Sequence, residues 1–527
     1  MKKHHLLLLF FASTFSSFSM PSDMPCFSNE VMWHIKANLE ENIASDSNRF
    51  PEALYPEKAA RKEALLGAIV AAPYEKKIEE KQTNNDKFTY LWQRDGGIAM
   101  LAIEDELKSA VATDDKESIT RYAQMMINYI KFFDYASRQD GYYPGIAKFY
   151  LSGESVTDWQ NPQNDGPAFT ALVFTEFANL IMSQKEPLNI NGTILDKNFV
   201  EKYLFDIKGN GLINQNLSYI VDNSREECFD LWESCLGQMF FTKMVQIKAL
   251  TAGAALSTNF NNLSLASKYI AAAEDLSYQA VEHYQTFTYG QEKFKSYCEG
   301  SDIPLNLSFP IYPKYKSNNF SKYRGMSLDS SVILGILFGN LYEYSQPDSW
   351  VYKSLTKDKI IAKKFVSVIQ ESKEDLSPTS LEVIKTVRLI ADKSFSKKGL
   401  DSYKINEDLP KGINLIGRYP GDIYNGITWN DPLNKGNPWF ITSIALAQYY
   451  YTLAYELKKP DYIEMGNKQM ELVFKYIDGK ENASGKSFRM SEQIDRNTGE
   501  QTSANDYTWS YAQYLLVHHA FVQARRM

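Results

Sequence analysis

Trp92-Gln93-Arg94-Asp95 stands directly before the apolar stretch Ile98 to Val111, whose hydrophobic residues recur at helical spacing. Four more segments repeat this order. Trp159 to Asp165 precedes Phe169 to Ile181, and Asp230-Leu231-Trp232-Glu233 precedes Phe240 to Leu256. Arg418-Tyr419-Pro420-Gly421-Asp422 precedes Phe440 to Leu457, and Ser491-Glu492-Gln493 precedes Tyr507 to Val522. A weaker sixth segment, Arg324 to Asp329, precedes Val332 to Tyr344. Between most neighbouring clusters there is room for one undecorated helix. If helices alternate up and down, every decorated helix enters from the same end. The clusters then converge on one face, which predicts an all-α (α/α)6 barrel with one deep site.

The remaining pattern supports two layers. Phe169 to Ile181 and Phe240 to Ala255 are apolar nearly all round, as helices buried on two sides must be. The stripe Ile119, Tyr122, Met126, Tyr129, Ile130 and Phe133 covers one face only. Ala59 to Val70 also keeps a polar face and is expected as an outer helix. Asp115 to Ser118 and Ser377 to Glu382 carry N-cap chemistry. Further helices are expected at Leu265 to Tyr284 and Leu381 to Ile390, about a dozen in all. No repeat of fixed period supports an α-solenoid. Asn210-Gly211, Pro304 to Asn319 and Ile427 to Lys435 read as loops.

The chain has 527 residues, and composition shifts nowhere along it, so residues 20–527 are expected as one catalytic domain. Aromatic residues make up 14 %, with 34 tyrosines, which suits a ligand offering flat faces. Net charge is −7, and no basic cluster appears along the sequence. Nucleic acid is therefore not an expected partner, and a neutral or cationic ligand is favoured over a polyanion. Met1 to Ser19 has a basic start, a short apolar run from Leu6 to Ala12 and a small-residue tract, the pattern of a signal peptide. That run is too short to span a membrane, so secretion without membrane attachment is expected. Cys26, Cys228, Cys235 and Cys298 could pair in an oxidising compartment or stay as buried thiols; a Cys228–Cys235 bridge would stiffen the loop of Glu233. Asn-x-Ser/Thr sites occur at Asn191, Asn216, Asn262, Asn306, Asn319 and Asn482.

Histidine, zinc and phosphate-loop motifs are absent, so no metal or cofactor is expected. The clusters offer acids, arginines and aromatic rings, which fits glycoside hydrolysis by two carboxyls. Glu233, flanked by Trp232, Phe229, Phe240 and Phe241, is a candidate acid whose apolar setting would hold its proton. It would equally serve as a solvated helix-start residue. Glu492 sits in a polar run that would keep it ionised, as a base requires. Side-chain chemistry alone does not choose among Glu492, Glu500 and Asp506. Arg94-Asp95 and Arg418 with Asp422 could clasp sugar hydroxyls or simply pair with each other. Trp92, Trp159 and Trp439 could stack on sugars or anchor packing.

Six motifs in order resemble glycoside hydrolase family 15, the glucoamylases. They are Tyr90-Leu-Trp-Gln-Arg-Asp95, Asp158 to Pro167, Asp230-Leu-Trp-Glu233, Gly417 to Asp422, Gly436-Asn-Pro-Trp-Phe440, and Ser491-Glu-Gln493 with Gly499 to Tyr511. The resemblance implies an (α/α)6 barrel that releases glucose from non-reducing ends of α-1,4-glucans or maltooligosaccharides with inversion to β-glucose. It assigns Glu233 as general acid and Glu492 as general base. Arg94, Asp95 and Arg418 would hold the terminal glucose, and Trp159 would pack against acid and substrate. Trp92, Leu231, Trp232, Asp422 and Trp439 fall at further pocket positions. Phe88, Ser234 and Gly421 depart from the family pattern of Tyr, Glu and Glu. Isomaltose, dextran or trehalose as substrate, or a catalytically silent glucan-binding domain, remain the alternatives. A monomer is expected.

Overall fold

The computed structural model describes residues 24–50, 63–73, 88–289, 292–300, 328–396, 399, 401–426, 434–480 and 487–527. The segment 1–19 expected as a signal peptide, most of the Ile427 to Lys435 loop, Pro304 to Asn319, and Arg324 to Ser327 of the sixth cluster lie outside these residues, as do Asn306, Asn319 and Asn482.

In chain order the main helices are α1 (Asn29–Glu41), α2 (Gln93–Thr113), α3 (Lys116–Ala136), α4 (Gly166–Ser183), α5 (Leu212–Asn223), α6 (Phe240–Asn259), α7 (Leu263–Val281), α8 (Ser331–Phe338), α9 (Lys359–Glu371), α10 (Leu381–Leu389), α11 (Phe440–Leu457), α12 (Asp461–Phe474) and α13 (Thr508–Arg525). The helices behind the six clusters close a ring: α2 packs on α4, α4 on α6, α6 on α8, α8 on α11, α11 on α13, and α13 on α2. Around it lie α3 on α2, α5 on α4, α7 on α6, α12 on α11 and α1 on α13. This is the (α/α)6 barrel.

The layers follow from burial. In α6 every residue from Phe240 to Thr258 is buried except Lys248, because the helix touches the ring on both sides and a second layer behind. Outer α3 buries one stripe, and its cap is Asp115, whose carboxylate accepts from Ser118 N at 3.2 Å. Close approach within the ring uses Gly97: a Cβ there would stand 2.5 Å from Phe169 Cβ. Short ladders pin the loops at the cluster end. One pairs Leu91–Trp92 with Lys148–Phe149, setting Trp92 opposite Lys148.

Two helix expectations fail. Glu63 to Val70, the described part of the Ala59 to Val70 stripe, is not helical. Its donors go elsewhere: Gly67 N to Ala44 O and Val70 N to Asn42 O, each at 3.0 Å, and Leu65 N to Leu151 O at 2.9 Å. Gly67, at φ +81°, lies so close to the Asn128 backbone that only glycine fits. Of the two open readings of the cysteines, buried thiols are found: all four are buried and free. Asn216, one of the Asn-x-Ser/Thr sites, lies fully buried in α5 with Nδ2 donating to Leu212 O at 2.8 Å, so the folded chain cannot carry a glycan there. Helix α8 also stops at Phe338, short of the expected Tyr344, where Gly339 presses on Met244.

Candidate active site

Five of the clusters contribute lining to one hollow of about 710 Å³, counted out to its mouth; of the sixth, the described end, Asp329, does not line it. Glu233 and Glu492 both line it, with Trp92, Arg94, Asp95, Trp159, Leu231, Trp232, Arg418 and Trp439. Phe88, Tyr424, Tyr507, Trp509 and Ala71 complete the wall. Among the described residues no group of three or more metal-ligating side chains occurs, and no helix is long and apolar enough to cross a membrane.

Glu233 is held by its loop in a conformation that side chains rarely adopt, φ +57°. Asp230 makes that turn. Its carboxylate accepts from Ser234 N at 2.5 Å and Cys235 N at 2.8 Å, while its carbonyl accepts from Glu233 N at 2.9 Å. A buried carboxylate thus does the stiffening expected of a disulfide. Ser234 is buried and donates to Trp232 O at 3.0 Å.

Two donors end on Oε1 of Glu233: Trp92 Nε1 at 2.6 Å and Gln163 Nε2 at 2.8 Å. The orientation of Gln163 is fixed chemically. Its Oε1 accepts from Arg94 Nη1 at 3.0 Å, and a guanidinium can only donate, so the amide NH₂ must face Glu233. Arg94 Nη1 also pairs with Asp165 at 3.1 Å, and Arg94 Nε lies 3.4 Å from Asp95. Tyr507 donates to Asp95 at 2.9 Å. Burial pushes Asp95 up to about 6, against the pull of Arg94 and the Tyr507 hydroxyl.

Behind Trp92 stands Lys148. Its ammonium lies 3.3 Å from the ring centre of Trp159, 4.2 Å from Tyr90 and 4.5 Å from Trp92. Burial pulls it down to about 8, with Glu233 and Asp158 opposing. It follows that a single cation fixes two of the site's tryptophans.

The opposite wall carries Glu492. Its Oε2 accepts from Tyr424 Oη at 3.2 Å, from Gln493 Nε2 at 3.2 Å and from the Ser503 hydroxyl. The polar setting expected for this residue is found, but it is a buried one: Glu492 is only 3 % exposed. Burial pushes its carboxyl up to about 7, although Ser503, Arg418, Tyr424 and Gln493 all oppose the shift. Of the rival carboxylates, Asp506 accepts from Tyr511 at 2.6 Å, and neither it nor Glu500 lines the hollow.

Arg418 is enclosed by the rings of Tyr424, Tyr419, Trp439 and Trp232, 4.9–5.7 Å away. Asp422 receives Arg418 Nε at 2.7 Å and Nη2 at 2.6 Å. Asp422 was expected at the pocket wall; it stands behind Arg418 instead, with both oxygens engaged, and does not line the hollow. Trp232 Nε1 donates to Asp329 at 2.9 Å, so the described end of the sixth cluster anchors a wall residue. Gly421, where the family pattern has Glu, sits at φ +80°, a conformation that disfavours any side chain.

Sequence reading missed Gln163, Tyr424, Tyr507 and Trp509. Tyr507 and Trp509 lie within a motif the reading quoted, and Gln163 within a cluster; Tyr424 carries no local signal.

A family model described as "Glycosyl hydrolases family 15" matches residues 52–519. "Glucoamylase" of Blastobotrys adeninivorans is 25 % identical over 95 % of this chain and 73 % of its own length. "Glucoamylase GLA1" of Saccharomycopsis fibuligera is 25 % identical over 86 % of this chain and 84 % of its own. Among solved structures, a Saccharomycopsis fibuligera glucoamylase superposes with TM-score 0.64 at 19 % identity, covering 97 % of this chain and 98 % of that one. The Hormoconis resinae glucoamylase follows at TM-score 0.58 and 20 % identity, covering 93 % and 72 %.

Proposed function

The chain belongs to glycosyl hydrolases family 15, and from that premise we propose that it is a glucoamylase. It removes terminal α-1,4-linked glucose, and more slowly α-1,6-linked glucose, from the non-reducing ends of starch-like glucans and maltooligosaccharides. The product is β-D-glucose. One observation carries this reading: two buried carboxyls, 259 residues apart in sequence (Glu233 and Glu492), line the same hollow beside Arg94, Asp95 and Arg418.

Glu233 acts as general acid. Both donors on its Oε1 are N–H groups that cannot accept, so its proton resides on Oε2. From Oε2 the proton passes to the glycosidic oxygen as the bond to C1 breaks. Glu492 acts as general base, taking a proton from water that attacks C1 from the other ring face. Inversion requires the two carboxyls to stand roughly 6.5–9.5 Å apart, leaving room for that water. Arg94, Asp95 and Arg418 bind the hydroxyls of the terminal glucose, and their burial supports an exo pocket closed at its floor. Asp165, Gln163 and Asp422 position those arginines. Trp92, Trp159, Leu231, Trp232 and Trp439 pack against the sugars. The reaction is assigned to carboxyls alone, with no cofactor. We further infer secretion by way of residues 1–19, followed by 20–527 acting as one monomeric catalytic domain.

Time-resolved NMR on maltose and isomaltose tests the reading. The expected outcome is β-glucose appearing first, with maltose consumed faster. The α anomer appearing first would overturn inversion. Faster turnover of isomaltose or trehalose would move the substrate to one of the alternatives.

A further inference from the structure

The sequence shows no basic cluster, yet the fold makes one. Lys293 and Lys295 lie on the second strand of a hairpin, Glu292–Tyr297. Lys385 and Arg388 lie one turn apart on α10, and Lys411 lies in the loop leading toward Arg418. All five line one open groove of about 1640 Å³, counted out to solvent. Two carboxylates share the lining, Asp392 and Asp408. Lys411 pairs with Asp392 at 3.7 Å, and Asp392 also accepts from Gly412 N at 2.7 Å. Among the described residues, Lys293, Lys295, Lys385 and Arg388 form no salt bridge. The whole chain carries 64 acidic and 57 basic side chains, so carboxylates for pairing are plentiful elsewhere. Lys295 stands 4.5 Å over the ring of Tyr284, which leaves its charge available to a ligand. Gathering these cations on one concave surface with only two carboxylates in the described lining favours an anion there.

The lining also defines the class of anion. Phe294, Leu389, Leu409 and Pro410 give the groove apolar patches between the charges. A ligand that matches must alternate fixed negative charge with flat, partly apolar faces. A phosphate monoester carries about −1.5 to −2 charge near neutrality and accepts well from both a guanidinium fork and ammonium groups. Sugar rings supply the flat faces. Nucleic acid fits poorly, because among the described residues Phe294 is the one aromatic ring in the lining and it is 9 % exposed. The concave, open-ended shape suits a chain rather than a bilayer.

We propose that this groove binds phosphate esters carried on an α-glucan, as a site separate from the catalytic hollow. It shares no lining residue with that hollow. The polymer identity rests on the glucoamylase reading; the anion does not. Held there by its phosphates, a branched polymer would present other chain ends to the hollow.

Affinity electrophoresis of the full chain tests this in native gels. One gel contains phosphorylated amylopectin, a second the same polymer after phosphatase treatment, and a third a sulfated glycosaminoglycan. The wild-type chain is expected to bind the phosphorylated glucan about tenfold more tightly than the dephosphorylated one, the scale of a few exposed charge contacts. That preference should vanish at 0.5 M salt, where screening acts within on the order of 4 Å. It should vanish too in the exposed double variant K385E/R388E, and survive in K385R. Maltose hydrolysis by both variants should match wild type, which checks the fold and the hollow independently. Equal binding to both glucans, or a preference that survives in K385E/R388E, overturns the proposal. So does binding confined to the glycosaminoglycan. A chain that prefers the phosphorylated polymer but leaves maltose and isomaltose intact would keep the groove and refute the glucoamylase reading instead.

Discussion

Glu233 and Glu492 are both buried carboxyls on the wall of one hollow, but they are held by opposite kinds of donor. Glu233 receives an indole N–H and an amide N–H on one oxygen. Glu492 receives two hydroxyls and an amide on one oxygen. An N–H donor cannot reverse. Oε1 of Glu233 must therefore accept in every state, and a proton is confined to Oε2. Hydroxyls can turn and accept. Tyr424 and Ser503 can thus stay bonded to Glu492 whether or not it carries a proton. Gln493 Nε2 cannot reverse either, so Oε2 of Glu492 keeps accepting and a proton there falls to Oε1; the difference is that Glu492 also has hydroxyl partners able to follow a change of charge. The backbones differ in the same sense. Glu233 rides a strained turn tied by Asp230, whereas Glu492 is anchored by its own main chain, Glu492 N to Ala504 O at 2.8 Å.

The sharpest way to break this contrast is to remove each carboxyl and change the leaving group. On maltose, E233Q and E492Q should each lose about 10³-fold or more in kcat, the scale of a lost acid or base. α-Glucosyl fluoride needs little proton assistance at its leaving group. On that substrate E233Q should recover to within about tenfold of wild type, while E492Q should stay impaired, as a base serves both substrates. Equal losses on the fluoride would show that the two carboxyls do not divide the work this way.

A smaller effect probes the fixed polarity at Glu233. W92F keeps most of the ring and removes the N–H that lies 2.6 Å from Oε1. Hydrogen bonds to charged groups are worth roughly 1.5–3 kcal/mol, so kcat should fall by about tenfold or somewhat more, with KM little changed. Q163L should do similar damage, and the double variant should lose less than the product of the two, because both donors serve one oxygen. A W92F enzyme with unchanged kcat and raised KM would place Trp92 in sugar binding alone.

How much of this was legible follows from what each residue needs from its neighbours. The barrel could be read because its inner helices are buried on both sides, and that requirement is written locally, as in Phe240 to Ala255. The convergence of clusters could be read because alternating helices leave few other arrangements. The environment of Glu492 could not. Its flanking residues are polar, but the burial comes from Tyr424, 68 residues earlier, and from Ser503 folding over it. Glu63 to Val70 departs from its expectation for a related reason: the periodicity of the stretch is helical, but Asn42, Ala44 and Leu151 take its backbone bonds. The resemblance implies a pocket position for Asp422, while its own chemistry leaves the matter open, because an acid beside an arginine looks the same in sequence whether it faces a ligand or its neighbour. The basic groove escaped for the simplest reason, that Lys293, Arg388 and Lys411 are neighbours only after folding.

The least dramatic consequence of the contrast lies in stability, where the sign can be worked out. Burial raises Glu492 from an ordinary value of 4.5 to about 7 in the folded chain. Below pH 4.5 the group is protonated in folded and unfolded chains alike, so it imposes no penalty. Between pH 4.5 and 7 the unfolded chain gives up this proton while the folded chain keeps it, and stability falls as pH rises. Above pH 7 the penalty is complete. E492Q cannot ionise, and its amide can still be met by hydroxyls that switch from donating to accepting. The inactive variant should therefore unfold roughly a few degrees higher than wild type at pH 8, a shift that fits a protein of this size, and show no advantage at pH 4. For the same reason the acid limb of wild-type kcat/KM should fall near pH 7, where the base takes its active form. A thermal shift of E492Q that is equal at both pH values would mean that the carboxylate is stabilised in place, and that the hydroxyls of Tyr424 and Ser503 serve the ionised base rather than easing its protonation.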